Sequence, residues 1–192
     1  MGNLLLGIFL FFGIHSISIF ALPLRDKLAA KSEYGWKALY TVISLVGIVL
    51  MAQGYAALKL NPTLLYVTPN GLRHLSALLM LPVFMLFLAP YFPGKIKTAA
   101  KHPQLIAVKL WAISHLLVNG TLADILLFGS FLIWAVADRI SMKKRSSRTV
   151  PGLKQSNIND VIVVVIGLSF YLLFTLYFHE MLIGVRPFAL GS

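Results

Sequence analysis

Cysteine is absent from all 192 residues. Disulfides, iron–sulfur clusters, thiolate-ligated haem and cysteine nucleophiles are therefore outside what this chain can build. Acidic side chains are scarce as well, six against 17 lysines and arginines, which leaves a formal charge of +11. Charged residues of both signs make up 12% of the chain, where a soluble domain carries about 25%. With 58% hydrophobic residues, that shortage points to a polytopic membrane protein. In a soluble protein the positive excess would suggest nucleic acid. Here the basic residues lie between apolar runs, where they set topology and meet anionic lipid, so no nucleic-acid partner is expected.

A hydrocarbon core about 30 Å thick takes roughly 20 helical residues. Six segments meet or approach that length: 3–22, 38–58, 71–90, 103–119, 122–138 and 159–181. They predict an all-α fold, a transmembrane bundle of about six helices forming a single domain over residues 1–192. Pro82 lies inside the third segment and is expected to kink it, and Pro90 with Pro93-Gly94 ends it. Asn119-Gly120-Thr121 is a turn signal and predicts a tight hairpin between the fourth and fifth segments. Neither strand-like alternation nor an internal repeat is present. The lack of an inverted repeat also argues against a transporter. The most polar connection, 141–159, carries Lys143, Lys144, Arg145, Arg148 and Lys154 and reads as a mobile, lipid-contacting loop.

Only Met1-Gly2-Asn3 precedes the first apolar run, without positive charge, so that run reads as a retained helix rather than a cleaved signal. The loops after the first, third and fifth segments hold 13 lysines and arginines, and the remaining loops and ends hold 3. The positive-inside rule then places both termini on the outer, periplasmic side.

Depth separates the five histidines. His74, His102 and His179 fall near segment ends, where a histidine costs little and a solvated or headgroup-bonded side chain is the ordinary reading. His15 is about 18 Å from the outer end of its segment, and His115 about 18 Å from the inner end of its own. Their vertical offset in the bilayer is therefore about 6 Å. Asp26, Glu33, Asp124, Asp138, Asp160 and Glu180 all fall in loops or near segment ends. A proton relay or a carboxylate-bridged metal site would lack its parts. Two neutral imidazoles on facing helices suit a haem iron, because the porphyrin supplies the equatorial ligands. Phe11, Phe12, Ile19, Trp111 and Leu116 are candidate walls of an apolar slot. The plainer alternative stays open: His15 bonds Ser16, Ser18 or a backbone carbonyl, and His115 bonds Ser114 or Asn119.

Five stretches carry a family resemblance: F-F-G-I-H-S at 11–16, G-Y at 54–55, R-H-L-S-A-L-L-M at 73–80, the block 101–135, and H-E-M-L-I-G-V at 179–185. The chain resembles the NnrU family of bacterial membrane proteins and, more distantly, the 15-cis-zeta-carotene isomerases of plants and cyanobacteria. The resemblance implies a multi-pass protein of the bacterial inner membrane. The isomerase branch is a b-type haem enzyme whose two histidine ligands match His15, in the His-Ser step, and His115, four residues after Trp111. One departure matters. The isomerases carry a cysteine three residues before the second histidine, proposed to exchange as an iron ligand, and this chain has Ala112 there.

The resemblance thus implies haem b held by His15 and His115 as axial ligands, in a protein that supports denitrification through the expression or function of nitrite and nitric oxide reductases. Its role would be redox, haem-handling or maturation. The alternative is a haem-dependent cis-trans isomerase of a carotenoid-like polyene entering from lipid, and whether the chain is an enzyme is left open by the sequence. Asp124, Asn119, His74 and His179 read as turn and interface residues, or as the lining of an approach to the haem. Arg186 and Pro187 match the family's C-terminal tail and suggest no chemistry.

Overall fold

A peptide backbone in hydrocarbon must satisfy its own polar groups, so long apolar runs become helices. The computed structural model describes residues 1–145 and 150–187, and no strand is found among them. Helix α1 spans Gly2–Phe20, α2 Leu22–Lys31, α3 Glu33–Leu60, α4 Leu72–Met80, α5 Val83–Leu88, α6 Lys95–Ala100, α7 Pro103–Val118, α8 Leu122–Ser141 and α9 Ile158–Leu173. A π-helical turn, Phe174–Phe178, leads from α9 into the short α10, His179–Ile183. Three helical runs are long and apolar enough to cross a membrane: Gly2–Phe20, Glu33–Leu60 and Ile158–Ile183. Only 17, 22 and 11% of their apolar windows are buried against protein. Apolar faces of that extent are compatible with lipid and not with water, so this is a membrane protein. Leu72–Leu88 and Pro103–Val118 are apolar but shorter.

The expected kink appears as an interruption of the helical hydrogen bonding within the run Leu72–Leu88. Pro82 has no N–H to donate, and Leu81 N reaches back only to Leu78 O at 3.3 Å, so α4 stops and α5 starts afresh. Helix α3 begins five residues before its apolar segment. Ser32 Oγ accepts from Gly35 N at 3.0 Å, and Glu33 pairs with Lys37 at 2.6 Å. Both are helix-start features that hydropathy does not register. Helix α2 has Pro23 in its first turn and ends at Ser32, the same residue that opens α3.

Contacts sort the chain into two units, Met1–Leu72 with His115–Ser146, and Arg73–Ser114 with Ser147–Ser192. In the first, α1 and α3 run antiparallel along a glycine seam. A Cβ on Gly7 would lie 2.6 Å from Met51 N and 2.7 Å from Gly47 O, and one on Gly47 would lie 3.0 Å from Phe11 N. Gly54 is pressed against the Leu4 backbone in the same way. Small residues let helices in lipid approach closely and gain dispersion contacts. Leu4, Met51 and Ala123 form the buried cluster where α1, α3 and α8 meet.

In the second unit, Gly167 of α9 lies against Met85 of α5, where a Cβ would come 2.8 Å from Met85 N. Tyr171 OH donates to Ala77 O at 3.2 Å. The connection after α8 differs from the mobile loop that composition suggests, at least from residue 150 onward. Leu153 N donates to Tyr91 O at 2.9 Å and Ser156 N to Pro93 O at 3.1 Å. The buried Asn159 amide donates to Pro93 O at 2.8 Å and Lys154 O at 2.9 Å. Arg148 lies outside the described residues.

Candidate functional site

His15 sits on α1, one helical turn after Phe11. Its Nδ1 lies 2.7 Å from Phe11 O. A carbonyl only accepts, so Nδ1 carries the proton and Nε2 keeps its lone pair. The ring stacks on Phe11 at 3.9 Å between centroids, with Tyr40 at 4.8 Å and Trp134 edge-on at 5.6 Å. The Trp134 indole N–H is buried and donates to nothing among the described residues. One turn further along α8, Asp138 is close enough to act electrostatically on His15 and Tyr40. Asp138 is itself buried and pairs with Arg145.

His115 sits on α7 and stacks on Phe128 of α8 at 4.5 Å, with the planes 25° apart. Phe128 meets Tyr55 of α3 edge-on at 6.2 Å. The Tyr55 hydroxyl donates to Asp124 Oδ1 at 2.6 Å. Asp124 is fully buried and shares a capping box with Thr121. Its Oδ2 accepts from Thr121 N at 2.8 Å and from Thr121 Oγ1 at 2.6 Å, and Lys59 Nζ lies 3.4 Å from Oδ1. The ring that stacks on His115 thus rests on a tyrosine fixed by a satisfied carboxylate.

Both candidate ligands belong to the first unit and both rest on α8. Their contact points, Phe128 and Trp134, are six residues and about 9 Å apart along that helix. Phe131 lies between them and meets Phe11 at 5.4 Å and Phe12 at 4.9 Å. Phe11 and Phe12 thus pack against α8, and Leu116 offers its carbonyl to the Tyr66 hydroxyl. Of the readings open for His15, the backbone carbonyl is the one seen. Asn119 bonds the carbonyl of His115, with Nδ2 at 2.9 Å. Trp111, His74, His102 and His179 belong to the other unit. There, His179 Nδ1 lies 2.7 Å from Val185 O and Arg186 pairs with Glu180 at 2.6 Å. Asp124 holds the turn and interface place expected of it.

Sequence reasoning missed Trp134 and Asp138 as neighbours of His15. Their i, i+4 spacing on α8 puts them on one face, but nothing in the sequence says that His15 packs there.

A histidine pair is a donor type that a haem iron takes. The site offers one imidazole with its Nδ1 committed and its Nε2 available, a second imidazole against the same helix, aromatic neighbours, and a buried N–H without an acceptor beside the first. Among the described residues no group of three or more His, Cys, Asp or Glu is placed to hold a metal ion. An all-protein metal cage needs such a group, whereas a porphyrin brings four nitrogens of its own. The family model described as NnrU protein matches residues 3–187, nearly the whole chain, and the chain belongs to the NnrU family. No curated protein and no solved structure matches it.

Proposed function

We propose that this NnrU family member crosses the bacterial inner membrane about six times, with both termini periplasmic. In this reading it holds one haem b between His15 and His115 and serves nitrogen-oxide respiration as a redox, haem-handling or maturation factor. The observation that carries the reading is His15. A histidine well inside an apolar helix has its Nδ1 tied to Phe11 O at 2.7 Å, so its remaining nitrogen is a fixed Lewis base within an aromatic enclosure.

A haem bound there would supply one-electron chemistry. The protein's own residues supply the rest. His15 and His115 would hold the iron through their imidazole nitrogens. Phe11 and Phe128 stack on the two imidazoles and hold the ring planes. Trp134 offers its N–H as a hydrogen-bond donor. The Asp138–Arg145 pair places a compensated charge near His15. Phe12 and Phe131 add an edge-on aromatic contact beside Phe11. Ala112 is fully buried and carries no thiol, which favours these roles over isomerisation of a polyene by thiolate exchange.

The test is the visible spectrum of purified protein, oxidised and reduced, for the native chain and for His15→Ala and His115→Ala. A six-coordinate spectrum that each substitution converts to another coordination state supports the reading. Colourless protein from haem-replete cells, or a spectrum indifferent to both substitutions, overturns it. For the physiological role, deletion should lower nitrite or nitric oxide reductase activity and leave carotenoid content unchanged.

A further inference from the structure

Away from the two histidines, the second unit carries an open bowl of about 400 Å³, lined by Pro93, Lys97, Thr98, Lys101, His102 and Gln155. That volume is in the range of ligand pockets, about 300–1,000 Å³. Its charge is of one sign. Lys97 and Lys101 stand at i and i+4 of one helical turn, an arrangement in which like charges repel, and here both face the same space. None of the lining residues is acidic, and Asp160 is engaged in accepting from Lys95 N at 2.8 Å and from Ile96 N at 3.0 Å, opening α6. Thr98 donates its hydroxyl to Gly94 O at 3.0 Å. Gln155 comes from the connection pinned along 90–93.

The backbone is strained at the same place. Lys101 has φ 57° and ψ −52° and, among the described residues, is the only non-glycine with a positive φ. His102 N donates across it to Ala100 O at 2.6 Å. This is the rare, strained form of the three-residue turn. Pro103 accounts for His102 leaving the helical region, since a residue before proline is pushed out of it. It does not account for Lys101, where glycine would be free of strain. Strain of this kind persists where the surroundings over-determine it, and it gathers at ligand clamps.

We propose that this bowl binds a phosphate group, with Lys97 and Lys101 as its cationic clamp. Five of its six lining residues, Pro93 to His102, belong to the stretch of chain that joins the apolar helices Leu72–Leu88 and Pro103–Val118. A phospholipid headgroup and a free phosphate are the two sources of that chemistry.

Binding to the purified full-length chain in neutral detergent is measured with three probes: short-chain phosphatidylglycerol, diacylglycerol of the same chain length, and inorganic phosphate against chloride at equal ionic strength. The variants are Lys97→Ala, Lys101→Gly and the pair. Saturable phosphatidylglycerol binding that weakens about fivefold per lysine removed, with diacylglycerol inert, assigns the site to lipid. The same variant sensitivity toward inorganic phosphate alone assigns it to a soluble phosphate. Lys101→Gly relieves the strained turn, so it should unfold at a higher temperature than the native chain while binding less, and its melting curve reports that it has folded. Binding that is unchanged in the double variant, or no saturable binding by either phosphate probe, overturns the proposal.

Discussion

Replacing Gly7 by alanine tests whether the α1–α3 seam sets the position of His15. The added Cβ would lie 2.6 Å from Met51 N, 2.7 Å from Gly47 O and 2.8 Å from Met51 Cγ, where ordinary contact begins at 3.4 Å. The methionine side chain can turn aside. The two backbone atoms cannot, so the helices must part by about 0.8 Å at that level. Overpacking of this kind costs about 1–3 kcal/mol. Alanine recovers about 0.5–1 kcal/mol of helix propensity over glycine, which leaves a net loss between about 0 and 2.5 kcal/mol, centred a little above about 1 kcal/mol. For a chain of this length each kcal/mol is about 2–4 °C in melting temperature. Gly13→Ala is the matched control, because nothing lies within 4 Å of its added Cβ and only the propensity gain remains. Thermal unfolding in detergent should therefore fall by several degrees for Gly7→Ala and rise slightly for Gly13→Ala. Equal shifts, or a stabilised Gly7→Ala, would refute close backbone approach as the origin of the seam. Because Phe11 and His15 follow on the same helix, Gly7→Ala should also perturb any spectrum that depends on His15.

Tyr55→Phe should cost about 1–3 kcal/mol, since Asp124 is fully buried and loses its 2.6 Å hydroxyl donor. Chemical denaturation of the single variants and of Tyr55→Phe with Asp124→Asn checks whether the two losses are non-additive, as a shared network requires. Burial, and next the nearby Asp124 charge, push the Tyr66 phenol above its ordinary value. The stability this contributes is fully present below about pH 10, the unfolded value, and is lost as pH rises through the higher folded one. Phenolate absorbance should appear later in the folded protein than in the denatured chain, and coincident titrations would contradict this. Asp160→Asn removes one of the two acceptors that open α6 and should destabilise the protein by about 0.5–2 kcal/mol, read as a lower melting temperature.

Features written along one stretch of chain were legible in the sequence; features that depend on a distant partner were not. The apolar runs yield α1, α7 and α8 nearly to their ends, and Pro82 marks the break between α4 and α5. Helix α2 escapes hydropathy because it is polar and short. Helix α6 escapes because the carboxylate that opens it, Asp160, is more than 60 residues away in the chain. Depth alone selected His15 and His115, and the structure sets the two rings against different residues of α8, Trp134 and Phe128. The same reasoning set Asp138 aside as a helix-end residue, yet α8 carries it into range of His15. Depth fixes only one coordinate, and the rotation of each helix about its own axis comes from packing.

The segment between α3 and α4 holds no helix of its own, but it is stitched to the α7–α8 turn. Leu65 N and Tyr66 N both donate to Gly120 O, at 2.8 and 3.2 Å, and Leu122 N donates to Thr63 O at 2.8 Å. The Tyr66 hydroxyl reaches back to the carbonyls of Leu116 and Asn119. In a deuterium-labelling experiment the amides of Leu65 and Tyr66 should therefore retain protons on the timescale of the helix interiors rather than of a solvated linker. A protease aimed at this connection should find it resistant for as long as the end of α7 stays folded.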